Sequence, residues 1–154
     1  STALYIAYCK EQFDMASYLV QNGVSAFMAM LPNVLRFSSQ QAVSSLIQTL
    51  KDTGVWDSNC YDASVALQIA YSTHKYDVCD LLIQVEVFLT MENLPAVIME
   101  SKAAFASVKK AIQHLKDTDS WDPKCEDASL ALGFAYMDHK YDVCDILIQE
   151  GVSL

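Results

Sequence analysis

The chain has 154 residues, 53% of them apolar and 19% charged, which is enough apolar material to bury a core and excludes a disordered tail. Ten Lys and Arg against nineteen Asp and Glu give a formal charge of −9, which argues against binding a phosphate backbone. Four Gly and three Pro leave little material for tight hairpins or a barrel, so the expected fold class is all-α.

In chain order, the first predicted unit covers residues 1–25. Ala7-Tyr8 onward to Gln21 aligns with Ala70-Tyr71 to Gln84, and predicts two short helices. The second unit, 28–53, opens on Leu31-Pro32 and is matched by Leu94-Pro95 in the fourth, 91–118. The third unit, 62–87, and the fifth, 127–154, share most. His74-Lys75-Tyr76-Asp77-Val78-Cys79-Asp80 recurs letter for letter as His139-Lys140-Tyr141-Asp142-Val143-Cys144-Asp145, 65 residues on. Leu50 to Thr53 returns at Leu115 to Thr118, and Trp56-Asp57 returns at Trp121-Asp122. Apolar positions at 66, 67, 69 and 70, then at 78, 79 and 81 to 83, follow helical spacing. Each 65-residue period therefore holds two helical hairpins, and five hairpins in a row predict a solenoid.

Half of that period is close to the ~33 residues of ankyrin arrays and a little under the ~34 of tetratricopeptide arrays. Thr2-Ala3-Leu4-Tyr5-Ile6-Ala7 resembles the ankyrin opening T-P-L-H-x-A, and Phe13 to Gly23 resembles its second helix and closing glycine. Ala66 to Ala70 and Ala131 to Ala135 fall where that opening is due. The resemblance to the ankyrin-repeat family spans nearly the whole chain and implies an ankyrin-like helical-hairpin solenoid. The family's opening histidine is replaced by Tyr5, Gln68 and Gly133, and its inter-helix glycine by Glu11, His74 and His139. Long loops or vestigial hairpins are expected before repeats three and five only. After repeats one and three the chain is expected to enter the next helix almost at once.

The resemblance implies a non-catalytic protein–protein interaction module contacting its partner through loops and first helices. The residues so implied are Cys9 and Lys10 in repeat one, and Asn59, Tyr61, Ser64, Ser72 and Thr73 in repeat three. In repeat five they are Lys124, Glu126, Ser129, Met137 and Asp138. The partner would be another protein or peptide, not nucleic acid and not a membrane. The alternative is a structural or oligomerising segment of a larger protein.

Candidates for chemistry are few. Cys79 and Cys144 fall on apolar helix stripes, where a small core thiol is expected rather than a nucleophile activated by His74 or His139. His74 with Asp77 has i,i+3 spacing, but two ligands make a poor metal site, so no metal is expected. Trp56 and Trp121 are expected to pack their loops against the helices. Lys102, Lys109, Lys110 and Lys116 are expected to keep one helix soluble. No catalytic or cofactor motif is present, so no enzyme activity and no cofactor are expected. The five cysteines form no CxxC pair, there is no Asn-x-Ser/Thr acceptor, and Ser1 starts directly in a helical pattern; together these point to an intracellular, cytoplasmic chain. Apolar residues at the two ends, Leu4, Ile6 and Tyr8 and then Val152 and Leu154, are expected to lack a neighbour on one side. That arrangement favours self-association or flanking repeats.

Overall fold

A computed structural model describes residues 2–100 and 104–154. Those residues form ten α-helices and no β-strand. They pair as five hairpins: α1 (Thr2–Cys9) with α2 (Phe13–Gln21), α3 (Met30–Phe37) with α4 (Gln40–Asp52), α5 (Tyr61–Ser72) with α6 (Tyr76–Gln84), α7 (Leu94–Glu100) with α8 (Ala104–Asp117), and α9 (Glu126–Met137) with α10 (Tyr141–Gln149).

Local signals set the boundaries. Pro32 and Pro95 sit in the first turn of α3 and α7, where a missing N–H leaves no helical bond unmade. Ser39 caps α4, its hydroxyl accepting from the Ala42 N–H at 3.5 Å. Each second helix ends on a left-handed residue: Gly23, Gly54, Glu86, Asp119 and Gly151, with φ between 58° and 96°. Behind each, the next N–H reaches back to a carbonyl five residues earlier, as from Val24 to Leu19, Val87 to Leu82 and Val152 to Leu147, all at 3.0 Å. The odd hairpins turn by the same device. Glu11, His74 and His139 take φ of 57°, 59° and 56°, so the left-handed turn persists without glycine, at a cost of about 1–2 kcal/mol each.

The first helices form one layer, α1 against α3, α3 against α5, α5 against α7 and α7 against α9. The α3–α5 and α7–α9 pairs are the closest. Ala63, Ala66 and Ala70, with Ala128, Ala131 and Ala135, are fully buried at i, i+3, i+7 spacing and let helix axes approach. In the second layer α4 packs on α6 and α8 on α10, while α1 reaches α4 and α5 reaches α8. The core runs unbroken between the layers through Leu35, Leu46, Leu50, Leu67, Leu82, Ile98, Leu115 and Leu147.

The connectors differ from expectation. Residues 22–29, 53–60 and 118–125 each separate successive hairpins by eight residues, and 85–93 includes a short 3-10 turn at Met91–Asn93. Long connectors therefore follow repeats one and three as well. Burial holds them: Ala26, Val87 and Leu89 are in the core, though no apolar periodicity marks their segments.

Candidate functional site

On the loop side, the 53–60 and 85–93 connectors frame a cavity of about 330 Å³ lined by Asn59, Tyr61, Ser64, Phe88, Thr90 and Glu92, among others. An Asx turn shapes its rim, Asp57 Oδ1 accepting from the Asn59 N–H at 3.0 Å. Ser64 Oγ donates to the Tyr61 carbonyl at 3.0 Å, leaving the Tyr61 ring 76% exposed. Phe88, also in the lining, is 43% exposed. Beneath it, Asn93 accepts from the Thr90 N–H at 2.9 Å and donates to Gln68 Oε1 at 3.0 Å, so two buried amides tie α5 to the connector. Hairpin five repeats the Asx turn, Asp122 accepting from the Lys124 N–H at 3.1 Å, but its serine differs, Ser129 donating to the Ser153 carbonyl at 2.8 Å. Lys124 and Glu126 are exposed there.

The remaining expected contact residues, Cys9, Lys10, Ser72, Thr73, Met137 and Asp138, lie at the opposite ends of the first helices. With twelve residues in α5 the two groups are about 18 Å apart, so they do not converge on one site. Lys10, Thr73, Met137 and Asp138 are exposed, and Cys9 is half-buried. Ser72 is a correction: it is buried against hairpin four and donates to the Gln68 carbonyl at 2.9 Å, so no partner reaches it. Phe88, Thr90 and Glu92 were missed by sequence reasoning; the one available signal was an aromatic residue in an otherwise patternless connector.

A second cavity, about 340 Å³, opens between α6 and α8 and is lined by Tyr71, Tyr76, Cys79, Lys110 and His114 among others. Its chemistry is structural. Burial pushes the Cys79 thiol up to about 12, with Asp80 and Asp77 adding to it, so no thiolate forms near neutrality. Burial also holds His114 below the usual histidine value, and its Nε2 accepts from the Leu89 N–H at 3.1 Å. Lys110 lies 4.9 Å over the Tyr76 ring, and Lys116 pairs with Glu150 at 2.7 Å. These lysines thus tie α8 to the hairpins on either side instead of only solvating it; Lys102 is outside the described residues.

Most of the seven-residue identity has a structural role. His74 makes the left-handed turn, and Nδ1 meets the Tyr76 hydroxyl at 3.0 Å. Lys75 donates to the Leu35, Arg36 and Ser38 carbonyls at the end of α3, and Lys140 donates to the Ile98 carbonyl of α7, cations placed on negative helix ends. Burial holds the Lys75 ammonium below its usual value. Asp77 and Asp142 accept from the next residue's N–H at 2.8 Å in the first helical turn. Cys79 and Cys144 are core residues, 2% and 1% exposed. Trp56 and Trp121 are half-buried against the core, with Trp121 Nε1 3.4 Å from the Glu150 carbonyl.

No group of three or more His, Cys, Asp or Glu that could hold a metal occurs among the described residues, and none of their helices is long and apolar enough to cross a membrane. No protein-family model, no curated protein and no solved structure matches the chain.

Proposed function

We propose that the chain is a non-catalytic protein-binding module, an ankyrin-like solenoid of helical hairpins that takes a peptide or protein segment on its loop side. The observation that carries this reading is the cleft at hairpins three and four. An exposed tyrosine, Tyr61, and an exposed phenylalanine, Phe88, line it together with the polar Asn59, Ser64, Thr90 and Glu92. Large amphipathic rings beside polar groups are what interface anchors are made of. The buried, protonated Cys79 and the hydrogen-bonded imidazoles of His74 and His114 support a non-catalytic role.

The test places a photo-crosslinking residue at Tyr61 in the full chain, with the exposed Gln48 of α4 as a control on the far side. Cross-linked partners are expected from position 61 and lost on Phe88→Ala. Equal labelling from position 48, or an unchanged partner set in the Phe88→Ala chain, overturns the reading.

A further inference from the structure

Hairpins one, three and five are copies of one type, and two of them are covered by a hairpin of the even type in the same way. In both cases the left-handed turn residue of the odd hairpin receives a serine hydroxyl from the second helix of the even one, or from its cap. Ser39 Oγ donates to Glu11 Oε1 at the first such junction. At the next, Ser107 Oγ lies 2.9 Å from His74 Nδ1 and 3.1 Å from the Tyr76 hydroxyl. A tyrosine of the odd hairpin also meets the second even helix at each junction: Tyr8 bonds to Thr49 at 2.5 Å, and the Tyr71 ring lies 6.2 Å from the tilted ring of His114, which stands 65 residues after Thr49.

Hairpin five keeps the same donor set. His139 Nδ1 and the Tyr141 hydroxyl are 2.9 Å apart, with ring centroids 5.9 Å apart, as for His74 and Tyr76. However, among the described residues no hairpin covers it. Tyr71 is 4% exposed and its counterpart Tyr136 is 41%; Ser72 is 4% and its counterpart Met137 is 75%. Leu130, Tyr141 and Ile148 are exposed on the same face. Within the helices, hairpin five differs from hairpin three at Tyr61 to Glu126, Val65 to Leu130, Gln68 to Gly133, Ile69 to Phe134, Ser72 to Met137 and Leu81 to Ile146. At Gln68, Ile69 and Ser72, the positions buried in hairpin three, none of the exchanges is toward charge, and together they make that part of the face more apolar. A contiguous exposed apolar surface of this kind marks a contact. Beyond it, Gly151 and Val152 turn back on α10 as Glu86 and Val87 do on α6 before the fourth hairpin.

From this continuity with an internal interface, we infer that the α9/α10 face is the docking surface for a helical hairpin of the α7/α8 type, one that brings a serine or threonine hydroxyl to His139 and Tyr141. A second copy of the chain does not fit this role. Its first hairpin is of odd type, with Met15 and Tyr18 exposed where their counterparts in hairpin three, Val78 and Leu81, are buried and half-buried.

The experiment appends a copy of residues 90–118 after Leu154 of the full chain, which keeps the connector register because Leu154 stands 65 residues after Leu89. The expected result is one cooperative unfolding transition at a higher midpoint than the parent, with amide exchange across 130–141 slowed about tenfold or more. Met137→Glu, on a side chain that is 75% exposed, is expected to leave the parent's melting unchanged and to abolish the gain in the extended chain. An appended segment that exchanges as unfolded chain with the parent's midpoint unchanged overturns the inference. So does a parent that dimerises through Tyr141 and Ile148 and loses that association on Met137→Glu, since a second copy is then the occupant.

Discussion

Hairpins three and five share seven identical residues in a row, yet one is interior and the other carries an open face. In hairpin three, Gln68, Ile69, Tyr71 and Ser72 are all at most 9% exposed, because α7, α8 and the connector before them lie on top. In hairpin five the corresponding residues are Gly133, Phe134, Tyr136 and Met137, half-buried or exposed. The backbone is the same in both, down to φ of 59° and 56° at His74 and His139. Local structure is thus written into the repeat, whereas burial belongs to the junction with the next one.

The comparison is most exposed to refutation at Ile69. Ile69→Ala removes a 2% exposed side chain and should cost about 2–5 kcal/mol in a denaturant titration. Phe134→Ala should cost less although it removes more atoms, and an equal or larger loss would mean that the fifth hairpin's face is already covered.

A pH titration sharpens it next. The Cys79 thiol titrates near 12 in the folded chain against 9.0 for the ordinary thiol, so its contribution is complete below pH 9 and is lost as pH climbs toward 12. The limiting slope is about 1.4 kcal/mol per pH unit, and buried Tyr71, also raised, adds in the same direction. Cys144 is raised by burial too, but no hairpin lies beyond it among the described residues. Cys79→Ala should therefore flatten the alkaline loss more than Cys144→Ala. Equal flattening would make the two junctions electrostatically alike.

Ser72→Met, which gives hairpin three the residue of hairpin five, should destabilise by about 1–3 kcal/mol through overpacking. The reverse exchange, Met137→Ser, should stay within about 0.5 kcal/mol because that side chain is 75% exposed. Thermal melting of the pair decides it, and a costly Met137→Ser would place a contact where none is described. Ser107→Ala is expected to cost about 1 kcal/mol, since the Tyr71 carbonyl loses the hydroxyl that donates to it at 2.7 Å. With that proton committed, Ser107 accepts from His74 and Tyr76, so the ring signals of His74 should shift in NMR while those of His139 stay put.

Much of the helical framework was legible. Helical spacing at 66–70 and 78–83 located α5 and α6, and the apolar stripe identified Cys79 and Cys144 as core. The left-handed turns at Glu11, His74 and His139 were only half legible, since the absence of glycine there left open whether the turn kept that shape. Lengths of connectors were not, because Ala26 and Leu89 reach the core singly, with no period to reveal them. The contact set was legible only in part. Asn59, Tyr61 and Ser64 share a cleft, but Phe88 completes it from 24 residues beyond Ser64. Ser72 was misplaced because hydroxyl residues near a helix end read as exposed, and only the neighbouring hairpin buries it.

The sequence by itself determined the ten helices, their stops and the 65-residue alternation of two hairpin types, since spacing, caps and left-handed turns act within a few residues of chain. The tertiary structure decided what Lys75, Ser107 and His114 do, because their partners Leu35, Tyr71 and Leu89 lie 25 to 40 residues away. It also decided which of two near-identical faces is core and which is surface. Burial is a property of what lies opposite a side chain, and identical local sequence carries no record of that.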